Sequence, residues 1–286
     1  MNAHNSESRE RAEDDGRIYW AILTVTLMLT AVISAGLIAW KEGTRFKTQK
    51  QLEQLAERTT AGAEDDIVGD AVSDRILEYA LLYDITVPDK HIDFEWMHKN
   101  VSEDIYAWIC IPGTNIDYPV LQHPTDNSYY LDYNLDGTKG YPGCIYTENY
   151  NSKDFTDRHT VIYGHNMRDG TMFSDLHKYE DADFFGQSPY IFIYTENDVL
   201  VYTIFAAYET NNTHLLLGFD LSSDDVYLSY LEGVLSREGQ NSNVPYKNIQ
   251  FNSEDRILTL STCITEILQP AYRYVVQGVL IDVERG

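Results

Sequence analysis

Cysteine and positive charge are the two things this chain has least of. Its 286 residues contain three cysteines, Cys110, Cys144 and Cys263. An odd number at wide spacing makes no disulfide framework and offers no C-x-x-C pair for a zinc or dithiol site. Lysine and arginine total 21 against 45 aspartates and glutamates, a formal net charge of −24. That balance argues against a nucleic-acid partner, because phosphate binding needs a basic footprint. Internal repeats are absent, and so is low-complexity sequence outside one acidic linker. No pattern calls for a metal or an organic cofactor, and none is expected. What is there, 43% hydrophobic and 13% aromatic, suits one core of about 150–200 residues with appendages.

Long apolar runs are scarce too, with a single exception. Residues 18–40 carry no charge over 23 positions, about 34 Å as a helix at 1.5 Å per residue, enough to cross a bilayer. Tyr19, Trp20 and Trp40 stand at its ends, where aromatic rings settle at the interface. A signal peptide would have a shorter apolar core followed by an A-x-A cleavage site, and neither is present. The expected organisation is a tail over 1–17, a transmembrane helix over 18–40, a stalk and linker over 41–70 and a folded domain over 71–286. Flanking charge leaves orientation open. Arg9, Arg11 and Arg17 precede the span, Lys41, Arg45, Lys47 and Lys50 follow it, and long domains translocate largely regardless.

Helical spacing of Val72, Ile76, Tyr79, Ala80 and Tyr83 predicts an amphipathic helix over 71–83, and a short helix is expected around Phe94 to His98. Eight β-branched and aromatic runs follow, at 106–111, 116–121, 144–147, 160–163, 190–194, 199–207, 257–262 and 274–281. Residues 112–115 and 196–198 read as hairpin punctuation. So many short strands predict a closed or nearly closed, antiparallel-rich barrel. One helical insertion interrupts them over 222–236, with Ser222 as N-cap, Asp224 and Asp225 in its first turn, and Tyr227, Tyr230, Leu231, Val234 and Leu235 facing the barrel.

Cys110 and Cys144 sit among apolar neighbours and read as core residues. Cys263 instead closes the run Leu258-Thr259-Leu260-Ser261-Thr262, a thiol at a strand end. Arg273 opens the next strand, and an antiparallel return brings this permanent cation to the level of Cys263. A thiol beside fixed guanidinium donors has the composition of a nucleophile with an oxyanion partner. A proton carrier is also needed. Of eight histidines, His165 follows the apolar run 160–164 ending in Gly164, so it emerges at a strand exit. His4, His91, His98, His123, His159, His177 and His214 lie in polar or helical contexts. Taken singly, His165 reads equally as a surface or capping residue, and Arg273 as half of a solvated ion pair.

Together these segments resemble the sortases. Leu258-Thr259-Leu260-Ser261-Thr262-Cys263 is similar to their TLxTC signature. Residues 161–167 followed by 169–173 resemble the histidine segment of class B members, Arg273-Tyr274-Val275-Val276 their arginine strand, and residues 108–120 their opening strands. The resemblance covers about residues 71–284. It implies an eight-stranded sortase barrel with N-terminal helices and a helical insertion between late strands. It also implies a single-pass enzyme of a Gram-positive membrane, N-terminus cytoplasmic and catalytic domain outside. Its partners would be the sorting signal of a surface protein and an amine of peptidoglycan or a pilin. Cys263 would attack a threonine carbonyl in the sorting pentapeptide, His165 would act as acid and base, and Arg273 would hold the oxyanion. Asn127, Leu131, Ser261 and Thr262 match positions of the peptide groove, and Thr210 to Leu215 its opposite wall. The chain departs from the pattern after the nucleophile: Ile264 and Thr265 follow Cys263, and the first acid is Glu266. No carboxylate is therefore assigned to His165. Two other readings share these residues, a surface module that binds peptide without catalysis and a plain thiol peptidase.

Overall fold

The computed structural model describes residues 3–61, 85–238, 241–264 and 272–281. The helix expected over 71–83 lies outside them. The chain divides into two compact units, residues 1–47 and 48–286.

The first unit holds most of helix α1 (Ala3–Ala61). It contains one helical stretch long and apolar enough to cross a membrane, and Tyr19, Trp20, Met28, Val32, Leu37 and Trp40 are all exposed along it.

The second unit is built on a closed barrel of eight strands: β1 (Ile105–Cys110), β2 (Asp117–Leu121), β3 (Ile145–Thr147), β4 (His159–Tyr163), β5 (Tyr190–Tyr194), β6 (Val199–Asn211), β7 (Ile257–Cys263) and β8 (Tyr272–Leu280). Their order around the barrel is β1-β2-β3-β4-β7-β8-β6-β5, closed by β5 against β1. Each expected strand is present, β6 running four residues further than its apolar pattern. Two pairs are parallel, β2 with β3 and β4 with β7; the others are antiparallel. Short helices α2 (Phe94–Asn100), α3 (Tyr129–Asp132) and α4 (Ala182–Gln187), with a 3₁₀ helix over Ser174–Glu180, fill the connections.

The last turns of α1 belong to this unit. Leu52 and Leu55 are buried in the same apolar cluster as Trp108, Ile109 and Phe192, each contributing about 1.5–3 kcal/mol by area. Thr59 anchors the helix end: its carbonyl accepts from the His91 amide at 2.9 Å, and its hydroxyl from Lys90 at 3.2 Å. Lys90 in turn pairs with Asp117 at 2.8 Å.

The insertion forms α5 (Asp224–Leu235). Its N-cap position is Ser223 rather than Ser222; the Ser223 side chain makes no capping bond, and the Ser222 hydroxyl donates to Asp220 at 2.5 Å. Alternation along β7 explains where α5 lies. Leu258 and Leu260 join the barrel interior, whereas Ile257 packs with Tyr227, Leu231 and Val234 on the outer face. Between α5 and the sheet lies a buried polar network. Gln277 donates to the Thr259 hydroxyl and to the Tyr230 hydroxyl, both at 2.7 Å, and accepts from Tyr208 at 3.0 Å. His159 Nε2 meets the Thr259 hydroxyl at 2.7 Å, and its buried Nδ1 has no hydrogen-bond partner.

Burial pushes the His159 imidazole down from 6.5 to about 4. Above pH 6.5 both folded and unfolded chains hold it neutral, at no cost. Between 6.5 and 4 only the unfolded chain takes up the proton, so stability falls as pH falls, by about 3 kcal/mol in total at ~1.4 kcal/mol per unit. Urea unfolding at pH 7 and pH 4.5 is expected to show His159→Gln losing about 2–3 kcal/mol less than the parent across that interval. Equal losses in the two proteins would remove His159 as a source of acid lability.

Candidate active site

Strand register assembles the site. In the parallel pair, Tyr163 of β4 lies opposite Ser261 of β7, and the Gly164 amide extends the ladder to the Ser261 carbonyl at 3.1 Å. Two residues past this pair, His165 and Cys263 leave neighbouring strands at one rim. On the other side of β7, Cys263 pairs with Arg273 of β8, and Arg273 pairs with Thr210 of β6. The row His165, Cys263, Arg273, Thr210 thus crosses four strands at one level. Cys263 shares the outer face with Ile257, Thr259 and Ser261 by alternation. The row lies beyond the part of that face that α5 covers.

Gly164 is required at the turn into His165, since a Cβ there would stand 2.5 Å from Ile145 Cδ1 and 2.8 Å from the Phe173 ring. The Phe173 amide donates to the His165 carbonyl at 2.9 Å and closes the loop. His165 Nε2 donates to the Leu131 carbonyl at 2.8 Å, and its ring meets Tyr141 edge-on at 4.9 Å between centroids. Arg273 Nη1 donates to the Tyr272 carbonyl at 3.1 Å.

A cleft of about 150 Å³ opens beside this row, lined by Glu148, Tyr163, Ser261, Arg273 and residues 210–215. Its two walls are joined by a contact between His214 Nε2 and a Glu148 carboxylate oxygen at 2.9 Å, and Glu148 also accepts from the Tyr163 hydroxyl at 3.2 Å. Burial raises the Tyr163 phenol and Glu148 raises it further, while the nearby Arg273 charge opposes the rise.

The three thiols differ in the way their neighbours imply. Cys110 and Cys144 are buried, and desolvation pushes Cys110 up to about 12 and Cys144 upward as well. Cys263 is only partly buried.

A family model described as the sortase domain matches residues 109–281 of this chain. The chain belongs to the sortase family. Sortase B of Listeria monocytogenes is 38% identical over 185 residues, covering 64% of this chain and 72% of that protein. A solved structure of sortase B from the same species superposes with a TM-score of 0.54 at 34% identity, over 65% of this chain and 99% of that one. A Staphylococcus aureus sortase B–substrate complex matches in fold with a TM-score of 0.61 at 24% identity, over 83% of this chain and 97% of that one. The sortase is thus of class B, and sortases are cysteine transpeptidases.

Among the groove positions expected in this sortase, Ser261, Thr210 and Leu215 line the cleft with Arg273. Leu131 lies beside the row through its carbonyl on His165, and its side chain is 39% exposed. Thr262 is buried and shares the interior parity of Leu260, so its side chain does not reach the cleft. Asn127 does not line it either; its Oδ1 accepts from the Asn149 amide at 2.7 Å. Sequence reasoning passed over Glu148 and Tyr163. It also set aside as proton carriers His214, which lies within the 210–215 wall that the family resemblance implied, and His177, whose Nε2 is 3.2 Å from the Cys263 carbonyl. Nothing in local pattern marks either histidine, because their partners are 66 and 86 residues away.

Proposed function

We propose that this sortase cleaves a sorting pentapeptide after threonine and transfers the new carboxyl to an amine, with Cys263, His165 and Arg273 as its catalytic residues. The thiolate of Cys263 adds to the threonine carbonyl, the C–N bond breaks as His165 protonates the departing amine, and a thioacyl enzyme remains. An incoming amine attacks the thioester and gives its proton to His165, and the C–S bond breaks to return the Cys263 thiolate and the imidazolium. Arg273 donates to the oxyanion that forms in both halves. The peptide lies in the cleft along Ser261, Thr210 and Leu215, and the acceptor is an amine of peptidoglycan or of a pilin. Residues 18–40 anchor the enzyme in a Gram-positive membrane, with residues 1–17 in the cytoplasm and the catalytic domain outside. The strand register that brings His165, Cys263, Arg273 and Thr210 to one level supports this reading most directly.

Detergent-solubilised full-length protein provides the test, since a fragment starting near Asp70 would discard the buried Leu52 and Leu55. Screened against a peptide library with and without added amine, it is expected to yield ligated product from peptides of one motif. Hydrolysis alone, undiminished by amine, would favour a thiol peptidase, and no cleavage of any peptide would favour a binding module. In the folded protein, alkylation followed by peptide mass mapping should label Cys263 and leave Cys110 and Cys144 unmodified.

A further inference from the structure

A second set of polar side chains holds the nucleophile from behind. Asn166 follows His165 directly, and its Nδ2 donates to the Cys263 carbonyl at 2.9 Å and to the Ile264 carbonyl at 3.1 Å. His177, in the 3₁₀ helix, places Nε2 3.2 Å from the same Cys263 carbonyl. Its Nδ1 lies 2.6 Å from a Glu180 carboxylate oxygen, and its ring stacks on Tyr274 with centroids 4.7 Å apart. Asn166 Nδ2 also lies 3.1 Å from His177 Nε2; with Nδ1–H donating to the Glu180 carboxylate, Nε2 carries the lone pair that accepts from Asn166 and orients its amide. Asn166 itself is held by a β-bridge to Met172.

We infer that Asn166, oriented by His177 and Glu180, is a positioning residue that clamps the Cys263 and Ile264 carbonyls and so aims the thiol along the row shared with His165 and Arg273. One peptide bond separates the proposed acid–base residue from the clamp, so Asn166 ties the His165 loop to the end of β7. In-line attack on a carbonyl depends on sub-ångström placement of the sulfur, which is where such a clamp acts. The inference rests on the catalytic reading of Cys263. Its geometry is local, and is tested also by a measurement that needs no turnover.

Asn166→Ala and His177→Ala are compared with His177→Gln, whose amide oxygen retains an acceptor toward Asn166 Nδ2. The clamp predicts that both alanine variants lose at least tenfold in kcat with KM within about threefold, and that His177→Gln recovers most of that loss. It also predicts that peptides containing Cys263 and Ile264 exchange amide hydrogen at least tenfold faster in the alanine variants, while peptides from β1 and β5 exchange unchanged. Unaltered exchange at Cys263 and Ile264 overturns the clamp whatever the activity. So does full activity in both alanine variants, a defect confined to KM, or a His177→Gln variant no better than His177→Ala. If wild-type protein cleaves no peptide, the catalytic reading fails instead, and hydrogen exchange alone still decides whether the clamp exists.

Discussion

Cys263→Ala is expected to give no detectable cleaved or ligated peptide, and no thioacyl adduct by intact mass, with the unfolding midpoint close to that of the parent. In the proposed mechanism every covalent step passes through this sulfur, so its removal leaves no route rather than a slower one. Stability is expected to be spared because Cys263 lies at the strand end, partly exposed and outside both apolar clusters. Cys110 and Cys144 cannot substitute: both are buried, and burial disfavours their thiolates. Product formation by the alanine variant would move the nucleophile elsewhere.

Arg273→Lys is expected to cost on the order of 10²–10³ in kcat, about 2.7–4 kcal/mol, the range found when an oxyanion donor is lost. Charge is conserved by this change, so Coulomb attraction alone predicts little effect. Geometry is not conserved. A guanidinium presents several donors in a fixed plane and can serve the Tyr272 carbonyl and a substrate oxygen at once, whereas an ammonium is a mobile point charge. The loss should fall on kcat rather than on KM, because the oxyanion exists only in the transition state and its neighbouring intermediate. A lysine variant of parental rate would reduce Arg273 to a bystander.

The barrel was legible in sequence because its strands are β-branched, aromatic and punctuated by turns, and Cys263, His165 and Arg273 stood out as candidates because each sits where an apolar run begins or stops. Local signal ran out in three places. The short helices at 129–132, 174–180 and 182–187 span too few residues for periodicity, and the 3₁₀ turn is held by burial of Leu176 and Tyr179 rather than by propensity. Ser222 and Ser223 are equivalent as candidate caps until the Asp220 carboxylate claims one of them. The Glu148–His214 contact across the cleft and the contacts of Asn166 and His177 to the end of β7 join residues 66 to 98 positions apart, which the order of strands around the barrel brings together.

That strand order has a bearing on biogenesis. Before the final hairpin arrives, β4 and β6 are both open edges, and the gap between them is the width of β7 and β8. A nascent chain emerging N-terminus first therefore carries two unpaired rims through most of its synthesis, a hazard for intermolecular strand addition. The proposed sulfur chemistry stays switched off meanwhile, because Cys263 arrives on the very element that seals the sheet.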